Sequence, residues 1–414
     1  MINTETTKAE PISKGERIRE LDIVRGFALL GVLLVNLAAF NSTLFSELAS
    51  IGPLSNPLNL ELLSDRLATL FIQILGEGKF YTIFSFLFGL GFYIFMERAE
   101  AKGVSPNKLF VKRSFFLLLF GIIHFSLVWY GDILHVYGVV GFLLLPFKNC
   151  SYKTIRNWLI ALLIISTLFM VLSSVSNALL ENLSSDLYDA QMASYRHMAD
   201  KSIDVYQNGS FLEIIRYRLG EEAFYIVFYL IFMIPKILGM FLIGLYVGKR
   251  KIFKDIEGNQ IFIKKVWRVG GLIGILSTIV YVLIEFSVIS LNPILSAGAF
   301  HFFKEIATIF LSMFYVTSLM LLYRKASFKK LLSPLGYIGQ MALTNYLVQC
   351  TIASLIYYGH GLGLVNKVGL ATGILFTLVI YSVQIVTSKL WLNRFKYGPF
   401  EWIWRQLTYG GLSK

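Results

Sequence analysis

The chain has 414 residues, 56% of them hydrophobic, with 35 phenylalanines and a formal charge of +13; its mean hydropathy is +0.65. That balance excludes a soluble globular domain, and it assigns the positive charge to loops at the inner face of a membrane and not to a nucleic-acid surface. Apolar runs of roughly 20 residues recur, each long enough to cross a bilayer as a helix. Because the runs are continuously apolar instead of alternating, an all-α polytopic bundle is favoured over a barrel.

The first 20 residues are polar and charged and read as a cytoplasmic lead-in. The run that follows, LDIVRGFALLGVLLVN (Leu21 to Asn36), has no small-residue cleavage site and reads as a retained helix. It carries Asp22, Arg25 and Asn36, groups that are expensive to bury against lipid. Arg25 and Asn36 are eleven residues apart, which on a helix is three turns plus ~20°, and Asp22 lies ~40° to the other side. All three share one face, with Gly26 beside it where a neighbouring backbone can come close. That face is either a packing seam between helices or one wall of an internal site.

About ten spans account for the chain, near 22–41, 80–97, 112–130, 132–148, 156–176, 223–248, 266–287, 302–323, 338–358 and 368–391. The segment 61–76 is too short and charged to span, and lies at the outer surface or dips into the bundle. Gly89 and Gly91, in GKFYTIFSFLFGLGF, suit close packing within a span. With the N-terminus inside, the inner segments hold 29 of the 38 lysines and arginines, so both termini are expected to be cytoplasmic. The chain then divides into the lead-in 1–20, an N-terminal five-helix bundle 21–176, an extracytoplasmic helical cap 177–222 and a C-terminal five-helix part 223–414. The cap predicts a polar helix ending near Asn208-Gly209 and a second one in FLEIIRYRLGEE. It either shields the bundle or forms a lid or acceptor-binding surface. Cys150 falls at the inner face and Cys350 within a span, so they are not expected to pair.

The densest chemistry lies in KRSFFLLLFGIIHFSLVWYGDILHVYG, Lys112 to Gly138. Arg113 and His124 repeat the eleven-residue spacing of Arg25 and Asn36, placing a basic group at the inner end and a polar group ~16 Å further in. Asp132 and His135 follow at i,i+3. Histidine exchanges protons near neutral pH, and Asp132, folded back toward His124, would fix its tautomer; a hydrogen-bonded structural histidine is the alternative. Gln340, Thr344, Asn345 and Gln349 form a polar stripe of the kind that joins helices. Lys236, Glu285 and the pair Lys304–Glu305 read as structural ion pairs or a permeation path. His197, His301 and His360 are assigned no role. In GPFEWIWRQLTYG, Trp402, Trp404 and Tyr409 suit an interfacial helix, with Glu401 and Arg405 as an i,i+4 pair. No zinc, P-loop or dinucleotide motif is present, and no metal site is predicted.

Taken together, LDIVRGFALLGVLLVN, FSFLFGLGF, RSFFLLLFGIIHFSLVWYGDILHVYG, IGQMALTNYLVQ and GPFEWIWRQLTYG resemble the YeiB-like family of bacterial inner-membrane proteins, over nearly the whole chain. The C-terminal region of that family is a domain of unknown function. The opening LD-x-x-RG is wider still, and is similar to the first helix of a transmembrane acyltransferase superfamily. Its members pass an acyl group from cytoplasmic acyl-CoA through the bundle to an acceptor on the far side. The resemblance implies acyl-CoA, acetyl-CoA first, as donor, with Arg25 near the inner mouth and Asn36 deep in the site. The polysaccharide-modifying members tend to carry a histidine where this chain has Asn36, and the glucosaminide enzyme takes its histidine from the following loop. Residues 37–79 of this chain contain no histidine, so the base moves to His124.

The expectation is an acyltransferase of the bacterial cytoplasmic membrane. Arg25, Lys112 and Arg113 bind the nucleotide phosphates, Asn36 donates to the thioester oxygen, His124 is the base and Asp132 orients it. Asp22, His135, Asn345 and Gln349 are secondary polar groups. The partners are the bilayer and a small-molecule, glycan or lipid acceptor, with a homodimer allowed. The rivals are a transporter of an anionic or lipidic substrate and a non-catalytic scaffold.

Overall fold

The computed structural model describes residues 18–49 and 61–410, so the lead-in expected over 1–20 lies outside them but for its last three residues. The described residues contain helices and no strands. In order they are α1 (Arg19–Phe40), α2 (Leu44–Leu48), α3 (Leu63–Phe71), α4 (Lys79–Ala101), α5 (Pro106–Leu127), α6 (Leu134–Leu144), α7 (Tyr152–Leu183), α8 (Ser185–Asn208) and α9 (Phe211–Tyr217). Then come α10 (Ala223–Lys249), α11 (Gln260–Glu285), α12 (Pro293–Tyr323), α13 (Ala326–Leu332), α14 (Leu335–Gln340), α15 (Ala342–Tyr357), α16 (Leu370–Arg394) and α17 (Pro399–Tyr409). Local chemistry starts several of them. Ser151 and Asn292 accept from the backbone of Thr154 and Leu295, Ser210 and Glu213 form a capping box, and Pro106, Pro293 and Pro399 open their helices.

Eight helical stretches among the described residues are long and apolar enough to cross a membrane, so the protein is a polytopic helical membrane protein. The other two expected spans are short. One is Leu134–Phe147. The second, expected over 338–358, is broken at Met341 into α14 and the 16-residue α15. The break adjoins a close backbone crossing. A Cβ on Gly26 would strike the Leu335 carbonyl and one on Gly339 the Asp22 carbonyl, so α1 and α14 run antiparallel with their backbones in contact. The approach foreseen at Gly26 is therefore made.

Glycines set two further crossings. Gly121, Gly138 and Gly141 bring α5 and α6 together as an antiparallel hairpin, against His135, Leu118 and Ser114. Gly89 packs against the Phe241 backbone and Gly244 against that of Phe86, joining α4 to α10. The segment 61–76 forms α3 and a π turn (Ile72–Gly76), and Ala68 and Ile72 pack with Ala38 and Leu370. In the expected cap, α7 continues to Leu183, beyond residue 176, and the polar helix α8 ends at Asn208 as its composition predicts. A π turn (Arg218–Glu222) then leads into α10. Both cysteines are free thiols. Asn345 Nδ2 donates to Ser388 Oγ (3.0 Å) and Gln349 Nε2 to Gln384 Oε1 (2.6 Å), so the polar stripe on α15 ties it to α16.

Candidate functional site

A cavity of about 610 Å³ runs between α1, α4, α5, α6, α10, α15 and α17. At one end it is lined by Arg25, Arg98, Lys102, Arg113, Arg405 and Tyr409. At the other it is lined by Asn36, Trp129, Tyr130, Asp132, Tyr229 and Tyr346. Helix geometry explains who lines it. Phe84, Phe88, Gly91, Phe95, Arg98 and Lys102 all face the cavity, and their spacing of three and four residues is one face of α4. Gly91 meets no atom within 4 Å of where a Cβ would stand. It leaves room for the cavity and does not serve the close packing assigned to it from the sequence.

The basic end is held in place by aromatic and amide contacts. The Arg113 guanidinium lies 3.7 Å over the Trp404 ring and 5.4 Å from Phe95, and Trp404 Nε1 donates to the Arg113 carbonyl (2.9 Å). Arg25 Nη1 donates to Asp22 Oδ1 at 2.8 Å. Lys112, expected beside Arg113, is exposed and does not line the cavity. Neighbouring residues on a helix point about 100° apart, and here Arg113 takes the inward side while Lys112 is turned out. The C-terminal helix α17 is more than an interfacial anchor. Glu401 accepts from the backbone N–H groups of Leu343 (2.7 Å) and Thr344 (3.1 Å), which caps the N-terminus of α15. Its carboxyl is raised above the usual range by burial, against the lowering effect of the Thr344 hydrogen bonds. Arg405 lies 4.2 Å over the Tyr397 ring.

At the opposite end Asp132 organises two histidines. Its Oδ1 accepts from His124 Nδ1 (2.9 Å), and its Oδ2 accepts from His135 Nδ1 (2.8 Å) and the His135 backbone N–H (2.9 Å). An ionised carboxylate only accepts, so both rings carry a proton on Nδ1; in the neutral imidazole that arrangement leaves Nε2 with the lone pair. The Tyr346 hydroxyl donates to Asp132 Oδ1 at 3.4 Å, and its ring centre lies 5.3 Å from that of His124. His124 itself is 3% exposed and stands behind the wall that Asp132 and Tyr346 form. Its Nε2 is buried and has no hydrogen-bond partner among the described residues. Asn36 lines the cavity, with its Nδ2 4.0 Å from Cys350 Sγ.

The structure thus brings Arg25, Arg113, Asn36 and Asp132 to one cavity, with His124 and His135 held by Asp132. Asp22 supports Arg25, while Asn345 and Gln349 serve helix packing. Arg98, Lys102 and Tyr346 belong to the site and were not singled out from the sequence, while Trp404, read there as part of an interfacial helix, lies against Arg113. The i,i+4 cations Arg98 and Lys102, on the face that carries Gly91, were the available signal.

A family model described as "Protein of unknown function (DUF418)" matches residues 247–411. The chain is similar to the uncharacterized protein YxaH of Bacillus subtilis (strain 168), at 34% identity over 97% of this chain and 96% of that protein. It is also similar to an uncharacterized 39.9 kDa protein of Bacillus acidopullulyticus, at 30% identity over 97% of this chain and 96% of that one. The uncharacterized protein YeiB of Escherichia coli (strain K12) is 28% identical over 95% of this chain and 96% of its own length. No solved structure matches.

Proposed function

The chain belongs to the YeiB-like family of membrane proteins, and on that footing we propose that it is a membrane-embedded acyltransferase, carrying an acyl group from cytoplasmic acyl-CoA to an acceptor on the far side. One observation carries the reading. A single cavity joins a basic end to an end where Asn36 and the Asp132–His124 pair stand. Guanidinium groups suit phosphate oxygens, and Arg25, Arg98 and Arg113 would bind the nucleotide end of the donor, acetyl-CoA first. The eleven residues from Arg25 to Asn36 rise ~16 Å, a distance suited to the pantetheine arm.

In the proposed step the acceptor oxygen or nitrogen bonds to the thioester carbonyl carbon. Asn36 Nδ2 donates to the carbonyl oxygen as negative charge gathers there. The carbon–sulfur bond breaks, and the acceptor's proton passes to His124 Nε2 and then to the departing sulfur, leaving free CoA thiol. Asp132 holds the imidazole in the tautomer this needs. Because Nε2 is buried, the acceptor reaches it only when the side chains around it, Tyr346 foremost, give way.

Purified protein with radiolabelled acetyl-CoA tests the reading. His124→Ala should lower transfer by about 10²- to 10⁴-fold while leaving acyl-CoA binding in place. Unchanged turnover would remove His124 from the reaction. Transport of an anionic substrate is the second reading, favoured by two ion pairs near the cavity wall at Tyr81, of which Lys236–Glu305 is the more deeply buried. Lys236 Nζ lies 2.7 Å from Glu305 Oε2 and 5.3 Å from the Tyr81 ring centre, and Lys304 Nζ lies 3.1 Å from Glu77 Oε1. Flux into proteoliposomes with no acyl-CoA present would favour it.

A further inference from the structure

A second cavity, of about 680 Å³, lies apart from the first, between α7, α10, α11 and α12. Its walls are Leu, Ile, Val, Met and Phe side chains with Gly270; the polar groups among them are Thr167 and Lys265. The Thr167 hydroxyl is spent on its own helix, donating to the Leu163 carbonyl at 2.9 Å. Ile164, Leu168 and Phe302 on its rim are exposed, so the groove opens sideways from the bundle and not toward either end. On a membrane-spanning protein that side is the hydrocarbon.

Its length and its charge say what fits. Along α7 it runs from Ile160 to Val171, and along α12 from Phe302 to Met313, eleven residues in each case. That is ~16 Å of helix, against ~15 Å for half of a bilayer's hydrocarbon core. The groove is therefore about as long as one leaflet is deep. Lys265 stands near the start of α11, just after the basic connection that holds Lys249, Arg250, Lys251 and Lys254. Arg156 precedes Ile160 by one turn on α7, on the same helix face and also exposed. Lys265 makes no ion pair or hydrogen bond with another described residue. An apolar slot one leaflet deep, with cations at its headgroup end, is complementary to a lipid with a negative headgroup.

We infer that this groove binds one acyl chain of an anionic phospholipid from the leaflet at the basic face, with the phosphate against Lys265 and Arg156. The site is independent of the proposed acyl transfer. It holds a resident lipid between helices and leaves the first cavity untouched.

Native mass spectrometry of the purified full chain, titrated with phosphatidylglycerol or phosphatidylcholine, tests this. The protein should retain one phosphatidylglycerol in preference to phosphatidylcholine. Each cation near the surface contributes about fivefold, so the double variant Lys265→Gln, Arg156→Gln should bring the two lipids to near parity. Leu168→Trp, an exposed position that narrows the groove, should reduce retention of both. Both variants change exposed side chains, and circular dichroism checks that they are folded. Equal retention of the two lipids by the unaltered protein would overturn the inference. So would an unchanged preference in the double variant, or unchanged retention in Leu168→Trp.

Discussion

At the scale of single residues, Asp132 is the group on which the site depends. Its two oxygens take the Nδ1 protons of His124 and His135 and cap the start of α6. Asp132→Asn replaces one accepting oxygen with an N–H₂ donor, which forces one of the two rings to turn or change tautomer. If His124 is the base, transfer should fall by about 10²-fold or more with acyl-CoA binding little changed. Loss of the buried charge-assisted bonds should also lower stability by about 1–3 kcal/mol. Turnover and thermal unfolding measured on the same sample separate the two effects. The His124–Asp132 contact was legible in the sequence, because eight residues and one reversal separate its members. Tyr346 and Trp404 were not, since 214 and 291 residues lie between them and the partners they meet.

At the scale of the helices, two glycines two residues apart do opposite things. The sequence gives Gly89 and Gly91 the same small side and the same apolar surroundings. In the fold, a Cβ on Gly89 would enter the Phe241 backbone, whereas one on Gly91 would meet nothing within 4 Å. Gly89→Ala should therefore destabilise the protein by about 1–3 kcal/mol through forced separation of α4 and α10. Gly91→Ala should leave the unfolding midpoint in place and only narrow the cavity. Thermal unfolding of the two variants side by side checks the contrast; equal midpoints would refute it. The cap also acts on a helix. Arg218, fully buried in the π turn before α10, donates to the carbonyls of Phe125 (3.3 Å) and Ser126 (3.1 Å) at the C-terminus of α5. It thereby satisfies orphan carbonyls one and two residues beyond His124, a link that no local pattern announces.

At the scale of the whole molecule, the cations gather at one face. Arg98, Lys102, Arg113 and Arg405 line the cavity there, and the connection from α10 to α11 adds Lys249 to Lys254. We propose, on the positive-inside rule, that this face is the cytoplasmic one. Cys150, half-buried in the short turn before α7, reports on it, while Cys350 is buried in α15. A membrane-impermeant maleimide should label Cys150 in inverted vesicles but not in intact cells, and Cys350 in neither. Labelling of Cys150 from outside intact cells would reverse the orientation.

The sequence by itself determined the class of the molecule, the rough course of its spans and the polar faces of α1 and α5. Hydropathy and the 3.6-residue repeat are local properties, and bilayer thickness imposes them on every crossing helix. Only the tertiary structure decided which of those polar faces share a cavity. It set His124 behind Asp132, turned Lys112 outward, and brought Trp404 over Arg113 from the far end of the chain. It also broke α14 from α15 at the crossing with α1. These outcomes depend on which glycines let backbones touch and on how distant helices pair, and no single segment carries that information.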